Sequence, residues 1–423
     1  MSYRRRHVEL PAWSVPMVYA LAAFLGGLTL PRLEARLLPG WTAPIDSGAA
    51  LAIGSSIASG MIALTGIVFS LAFVMVQFSA TAYSPRLVVW IARDRVVWHA
   101  IGVFTATFLY CLAAMAWVNR SPSVTMPLLT SLAVVFLLLA SVAMFVALIE
   151  RISLLQINRM LLFTGNQGRR AIAQMYADRA PGTEPEAVAV APPAAVTQAL
   201  THAGQPRVIQ ALDLHLLLEL AREADAVVEA VAAVGDTVVE GRPLLRVCGA
   251  SRHVDERALR AAIHDGLERT FEQDPKFALR LLVDIAIKAL SPAVNDPTTA
   301  VQALDQIEDL LLQLGRRSLD ISTLRDRAGV VRVVIPSPSW DDFVALAFDE
   351  IRYCGATSVQ VMRRMRALTS DLIAVLPADR HASLRHYQER LNSTIARSFA
   401  DEEEKRQASV EDRQGLGVTR HHP

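Results

Sequence analysis

The chain has 423 residues, of which 52% are hydrophobic, and its mean hydropathy is +0.31. Ordinary soluble domains are about 45–50% apolar, so the composition indicates membrane-spanning segments. Residues 1–170 contain thirteen arginines and five acidic residues, a net charge of +8, which leaves −7 for residues 171–423 of a chain whose total is +1. An acidic C-terminal part offers no basic surface for phosphate backbones, so nucleic acid is excluded as an expected partner.

Four uncharged apolar segments are long enough to cross a bilayer as helices, which takes about 20 residues each. They cover residues 11–31, 47–85, 98–119 and 124–149. Ten arginines flank these segments on one side and three on the other. Since positive residues accumulate in cytoplasmic loops, the bias predicts a multi-pass protein of the cell inner membrane with both termini in the cytoplasm.

The second segment carries many small and polar side chains. Alternating steps of three and four residues from Ser56 define one helix face, which we call the stripe. The stripe consists of Ser56, Ser59, Ala63, Gly66, Ser70, Phe73 and Gln77. The third segment has a shorter small-residue pair, Gly102 and Ala106. Such patterns are typical of close helix packing, and the alternative for the stripe is the wall of a water-filled pore.

The length of the second segment is also unusual. Its 39 uncharged residues would form a helix of about 58 Å, nearly twice the roughly 30 Å hydrocarbon core, so it must overhang, tilt or break. No Asp, Glu, Lys, Arg or His lies deep within any of the four segments. Because such residues usually mark proton relays and coupled transport, the pattern disfavours a proton-driven transporter more than a passive channel.

The remaining chain predicts a mixed α+β cytoplasmic domain behind the four-helix transmembrane domain of residues 1–170. Residues 171–206, rich in Ala and Pro, predict a linker. Residues 207–250 predict a small β-rich segment, residues 251–400 a mainly helical domain, and residues 401–423 a charged, disordered tail. The three cysteines lie far apart, without metal-binding or disulfide spacing.

Within the β-rich segment, Gly235-Asp236-Thr-Val-Val-Glu-Gly241-Arg-Pro-Leu resembles the half-motif of biotinyl and lipoyl barrel-sandwich domains. The resemblance implies tight strand corners and a small barrel-sandwich-like fold. A carrier of that kind attaches its prosthetic group to a lysine, and this segment contains none. We therefore expect the geometry without the carrier chemistry, and no cofactor.

A turn between two predicted helices is the strongest candidate for a ligand site in the C-terminal part. Asp296 predicts a helix cap and Pro297 the first helical residue. A helix N-terminus with free N–H groups and nearby hydroxyls can hold an anion, although a capped helix–helix turn explains the same residues. The candidate anion-binding residues are Ser291, Asn295, Asp296, Thr298 and Thr299.

Other polar residues favour structural roles. Asp284 lies four residues from both Arg280 and Lys288, which predicts an intrahelical charge ladder. His253 and His264 are eleven residues apart, about 16 Å along a helix, too far to share a metal. No nucleotide-binding loop, nucleophile elbow or zinc-protease motif occurs, so neither a metal site nor an enzyme active site is predicted.

A longer stretch resembles a known family. It begins Arg269-x-Phe271-x-x-Asp274-Pro275-x-Phe277 and ends Leu290-Ser-Pro-Ala-Val-Asn295-Asp-Pro297-x-Thr299. It is similar to the core of the bacterial predicted-membrane-protein family called domain of unknown function 2254, as are Gly66-Ile-Val-Phe-Ser70 and Ser84-Pro85-Arg86 earlier in the chain. The resemblance implies a membrane location and a shared architecture, and it brings no catalytic residues.

Two functional hypotheses follow. The first is a homo-oligomer in the lipid bilayer whose second helices line a channel or passive permeation pathway. The alternative is a non-conducting membrane scaffold or sensor, whose acidic cytoplasmic domain recruits an unknown ligand or protein.

Overall fold

The computed structural model describes residues 13–38, 40–82, 95–120, 125–153, 157–179 and 195–417. The chain divides before Ile157 into two compact units. We call them the helical unit and the C-terminal unit. The division falls earlier than the predicted boundary at residue 170, because the helix Ile157–Met175 packs against helices of the C-terminal unit.

Four long apolar helices form the described part of the helical unit. They are α1 (Ser14–Leu37), α2 (Ser47–Ala82), α3 (Arg95–Val118) and α4 (Leu128–Ser153). Each is long and apolar enough to cross a membrane. More than half of the apolar window of α3 is buried, against less than a fifth for each of the other three. The third helix is therefore the centre of the unit, and it contacts α1, α2 and α4.

Small residues allow the close approach of α1 and α3. A side chain at Gly27 would meet Ala113 and the backbone of Tyr110 within 3 Å, and one at Gly102 would meet the Tyr19 ring at 2.9 Å. Ala106, one turn beyond Gly102, is buried. The Gly102–Ala106 pair thus packs helix against helix, as its spacing predicts.

The second helix is one continuous helix of 36 residues, about 54 Å long at 1.5 Å per residue. Of the three possibilities raised by its length, a break is therefore excluded within Ser47–Ala82. A short strand, β1 (Thr42–Asp46), precedes α2 and pairs antiparallel with β2 (Thr125–Pro127), which precedes α4. This pairing joins the entries to two helices at one end of the unit.

The β part of the C-terminal unit contains two sheets. The strands are β3 (Val196–Thr201), β4 (Arg207–Leu212), β5 (Val227–Ala230), β6 (Thr237–Val238), β7 (Pro243–Cys248), β8 (Ile263–Gly266), β9 (Thr323–Arg325) and β10 (Val331–Val334). One sheet has the order β3-β7-β5-β10-β9 and the other β6-β4-β8. Two short helices, α6 (Leu214–Glu223) and α7 (Glu256–Ala261), accompany them. The sheets and helices share one core that contains Leu217, Val228 and Leu245.

The predicted barrel-sandwich is wrong, since these strands do not close a barrel. The motif around Gly235 and Gly241 does make corners, with φ of +92° and +78°. However, β6 pairs with β4 in the small sheet, while β7 pairs with β3 and β5 in the large one. The segment 207–250 is therefore divided between two sheets, and each sheet also takes strands from outside it: β3 and β10 in the large sheet and β8 in the small one.

Helices make up the rest of the C-terminal unit. They are α5 (Ile157–Met175), α8 (Pro275–Ala289), α9 (Pro297–Gly315), α10 (Trp340–Cys354), α11 (Val359–Val375), α12 (His381–Ser398) and α13 (Glu402–Ala408). The first of these packs on α8 and α9. A side chain at Gly168 would lie 2.8 Å from Leu310 and 2.9 Å from Ala278, so this contact requires glycine.

Two predicted irregular regions differ from the structure. The predicted linker 171–206 includes the end of α5 and the edge strand β3, and its residues 180–194 lie outside the described part. The tail from residue 401 is not disordered between Glu402 and Ala408, which form α13 behind the capping residue Asp401. Ala408 is fully buried, so this part of the tail packs against the rest of the unit. The charged composition of the tail did not predict that packing.

Candidate functional site

The stripe lies on the outside of the helical unit. Its seven residues are all exposed within the single chain: Ser56, Ser59, Ala63, Gly66, Ser70, Phe73 and Gln77. The opposite face of α2 packs inward through Gly54, Ala58, Met61 and Val68, which are buried. Periodicity therefore identifies a real face of α2, which lies opposite the face that packs inward.

The glycines of α2 mark the two faces. A side chain at Gly54 would lie 3.0 Å from Met115 of α3, whereas one at Gly66 would meet nothing within 4 Å. Gly60, which is also open, lies off the stripe. Helix packing within one chain therefore explains Gly54 and does not explain Gly66.

Some hydroxyl groups of α2 are satisfied by the helix itself. Ser55 and Ser56 donate to the carbonyl oxygen of Ala52 at 2.9 Å, and Thr65 donates to that of Met61 at 2.7 Å. Such bonds let a hydroxyl lie in an apolar environment without water. Of these three residues only Ser56 belongs to the stripe, and its bonded hydroxyl fits both a packing seam and a water-filled pore.

The candidate anion-binding turn is built around one carboxylate. Asp296 accepts a hydrogen bond from the backbone N–H of Thr299 at 3.1 Å and another from the Thr299 hydroxyl at 2.6 Å. Its own N–H donates to the carbonyl oxygen of Ala289 at 2.8 Å. The predicted cap is confirmed. A negative carboxylate already lies where a bound anion would sit, so of the two interpretations the geometry favours the capped turn.

The other turn residues do not converge on one point. Ser291 donates to the carbonyl oxygen of Lys288 at 2.7 Å, which continues the preceding helix end. Asn295 is exposed and adopts φ of +48°, a left-handed conformation that asparagine tolerates. Thr298 is exposed while Thr299 is buried.

Sequence reasoning missed a buried carboxylate in the helical unit. Glu34 is 3% exposed, and its side chain accepts hydrogen bonds from the backbone N–H groups of Leu129 at 2.5 Å and Thr130 at 2.9 Å. The Thr130 hydroxyl donates to the same carboxylate at 3.0 Å. Glu34 thus caps the N-terminus of α4 from the end of α1, across 96 positions of sequence. The only sequence signal was an acidic residue at the end of an apolar segment.

Two further polar contacts join the apolar helices. The hydroxyls of Thr107 in α3 and Ser141 in α4 are buried and 2.9 Å apart. Near the start of α3, His99 Nδ1 lies 3.3 Å from the hydroxyl of Tyr19 in α1. These pairs are specific polar links between otherwise apolar helices.

The charge ladder on α8 extends to a second helix. Arg280 donates from Nε to Asp284 at 2.7 Å, as predicted, and its guanidinium also binds both carboxylate oxygens of Glu350 in α10. The bidentate pair holds the pKa of the Glu350 carboxyl below its usual value, and hydrogen bonding to Glu350 raises the pKa of Arg280. The cluster is an ion pair between packed helices.

Asp274 caps α8 in a buried position. It accepts the backbone N–H of Phe277 at 3.2 Å and pairs with Arg269 at 2.7 Å. Burial raises the pKa of Asp274, and the neighbouring Arg269 opposes this rise. A side chain at Gly235 would lie within 3 Å of both Asp274 and Arg269. The β corner at Gly235 therefore packs directly against the ion pair at the start of α8. In the described ranges, no three His, Cys, Asp or Glu residues are arranged to hold a metal ion.

Comparison with known proteins identifies the family of this chain. The chain matches the family described as "Predicted membrane protein (DUF2254)" over residues 11–371. Uncharacterized proteins of Mycobacterium bovis and of two strains of Mycobacterium tuberculosis are each 30% identical over 369 residues, covering 82% of this chain and 68% of theirs. No solved structure matches the chain significantly. The chain belongs to the DUF2254 family of predicted membrane proteins.

Proposed function

We propose that the four apolar helices cross the cell inner membrane with both termini in the cytoplasm, and that copies of the protein associate through the stripe on α2. The second helices then line a channel or passive permeation pathway. The main observation in support of this proposal is that all seven stripe residues are exposed. They lie on the face of α2 opposite the one buried against α3.

In a membrane, an exposed polar face on a helix indicates a surface that contacts protein or water. Lipid tails offer no hydrogen bonds, so polar side chains within membrane helices usually face protein or water. Ser59 and Ser70 are exposed in the single chain. A second copy or a water column would satisfy them, and an oligomer whose stripes face a common centre would provide both.

Small residues support close approach between copies. Gly66 has nothing within 4 Å of its Cβ position, and Ala63 on the same face is also exposed. Helix backbones come together in lipid where such residues repeat at helical spacing. The stripe therefore has room for a second helix, or for water if the helices stand apart.

A non-conducting scaffold or sensor is the second candidate. It is favoured by the stripe hydroxyl of Ser56, which bonds to the carbonyl oxygen of Ala52 in its own helix and needs no water. In that case the stripe is a packing seam alone, and the acidic C-terminal unit recruits a cytoplasmic partner.

Ion flux through liposomes that contain the purified full-length protein tests the proposal. A channel predicts flux above that of empty liposomes and a loss of flux in Gly66→Leu, whose side chain would project from the stripe. Gly60→Leu is the comparison variant: Gly60 is equally open, lies about 120° from Gly66 around the helix and borders the stripe beside Ser56, so it should reduce flux less. Absence of flux in correctly assembled wild-type protein would favour the scaffold.

A further inference from the structure

A cavity of about 530 Å³ lies along α9 and α11 in the C-terminal unit. Asp305 meets Arg364 at one end of the contact between these helices, and Gly315 approaches Leu376 at the other. The two helices therefore run parallel. We call the end with Asp305, Glu308 and Arg364 the polar end of the cavity. We call the end with Leu312, Leu372 and Val375, where Asp371 also lies, the apolar end.

The polar end carries an excess of negative charge. Arg364 donates from Nε to Asp305 at 2.8 Å, and its Nη2 binds Glu308. Two carboxylates thus share one guanidinium, which leaves a net charge of −1. Arg364 is only 3% exposed, and its Nη1 has no hydrogen-bond acceptor among the residues placed by the structure. A buried guanidinium N–H without an acceptor is costly, so this group favours an added acceptor.

The apolar end is formed by the same two helices one to three turns further on. Leu312 of α9 lies four residues after Glu308, and Leu372 and Val375 of α11 follow Arg364 by eight and eleven residues, so each set shares a helix face. Val375 is 53% exposed, so this end is open to solvent. An apolar body could enter here.

The cavity lining includes a second cation besides Arg364. Arg413, from the segment after α13, donates to both carboxylate oxygens of Asp371, at 2.8 and 2.6 Å. This pair is neutral as a whole. Arg413 also interacts electrostatically with Glu308. The lining as a whole has three carboxylates and two guanidinium groups, and its net charge is −1.

We propose that this cavity binds a small organic cation: a primary amine with a neighbouring oxygen acceptor and an apolar body. The ammonium pairs with Asp305 and Glu308, the acceptor serves Arg364, and the apolar body lies against Leu312 and Val375. The proposal is independent of what the membrane helices do.

The test uses the full-length protein in lipid nanodiscs and three probes that share a phenyl group. Phenylethanolamine carries the cation and the hydroxyl, phenylethylene glycol is neutral, and mandelate is anionic. Calorimetry should give binding of phenylethanolamine about tenfold or more tighter than either of the others, because only it complements the excess charge. Equal binding of all three, or binding of none, would overturn the proposal.

Two variants locate the site. Asp305→Asn should weaken phenylethanolamine binding about tenfold, while Glu389→Gln on α12, outside the cavity lining, should leave it unchanged. Val375→Trp fills the apolar end at an exposed position and disturbs no ion pair, so it should also abolish binding in a folded protein. Unchanged affinity in Val375→Trp, with a wild-type melting temperature, would place the amine elsewhere and refute the assignment.

Discussion

Glu34 and Thr130 join the end of α1 to the start of α4 through a buried carboxylate, which receives both the backbone N–H and the hydroxyl of Thr130. The free N–H groups of a helix start are costly in a buried place, so this contact satisfies α4 where water is excluded.

Replacement of Glu34 by Ala should destabilise the helical unit, because three donors lose their acceptor at once. We expect a loss of about 1–3 kcal/mol in the free energy of unfolding, measured by denaturant titration in detergent. Asp46→Ala is the control, since Asp46 caps Ala49 of α2 in an exposed position, and it should cost less. Equal losses would mean that burial of Glu34 contributes nothing.

Asp296→Ala should lower the stability of the C-terminal unit by about 0.5–2 kcal/mol, because the start of α9 loses its cap. Thr298→Ala, at an exposed position of the same turn, should have little effect. Thermal unfolding of the full chain measures both. Unchanged stability of Asp296→Ala together with loss of a bound anion would instead identify the turn as a ligand site.

The ion pair of Arg280 and Glu350 should make stability depend on pH. The pKa of Glu350 is lower in the folded state than its ordinary value of 4.5, so its contribution is present above that pH and is lost as pH falls through the folded-state pKa. The stability difference between wild type and Glu350→Gln should therefore be largest near neutral pH and vanish in acid. A stability difference that grows on acidification would contradict the lowered pKa of Glu350 in the folded state.

Gly168→Ala should destabilise the C-terminal unit, although alanine ordinarily favours a helix over glycine by about 1 kcal/mol. The added methyl group would meet Leu310 and Ala278 below 3 Å, and such overpacking costs about 1–3 kcal/mol. Gly60→Ala in the open part of α2 is the control and should not destabilise. Differential scanning calorimetry of the two variants makes the comparison.

Local signals in the sequence predicted local structure well. Asp296 and Pro297 form a helix start because the cap and the first-turn residue are adjacent, and periodicity identified the outward face of α2 from residues such as Ser59 and Ser70. Both features depend on neighbours within one or two turns.

Features that depend on distant partners escaped prediction. The prediction of a barrel-sandwich was wrong because β7 pairs with β3, some 45 residues earlier in the chain. The contact of Glu34 with Thr130 spans 96 positions. In the tail, Asp401 is a recognisable cap, but burial of Ala408 requires helices formed far upstream. Periodicity likewise identified the stripe's face and could not identify what covers it.

Accessibility of single cysteines in the stripe tests the central claim most directly. Ser59→Cys and Ser70→Cys would be made without the native Cys111, Cys248 and Cys354 and treated in membranes with a small hydrophilic thiol reagent. Phe69→Cys is the control: Phe69 is exposed, is not one of the seven stripe residues, and lies about 100° from Ser70 around the helix.

A water-lined pathway predicts labelling at both serine positions and none at residue 69. It also predicts that Ser70→Leu reduces flux while the oligomer stays intact. Absence of labelling along the stripe in correctly assembled protein, with Ser70→Leu dispersing the oligomer instead, would contradict the pathway and leave a packing seam.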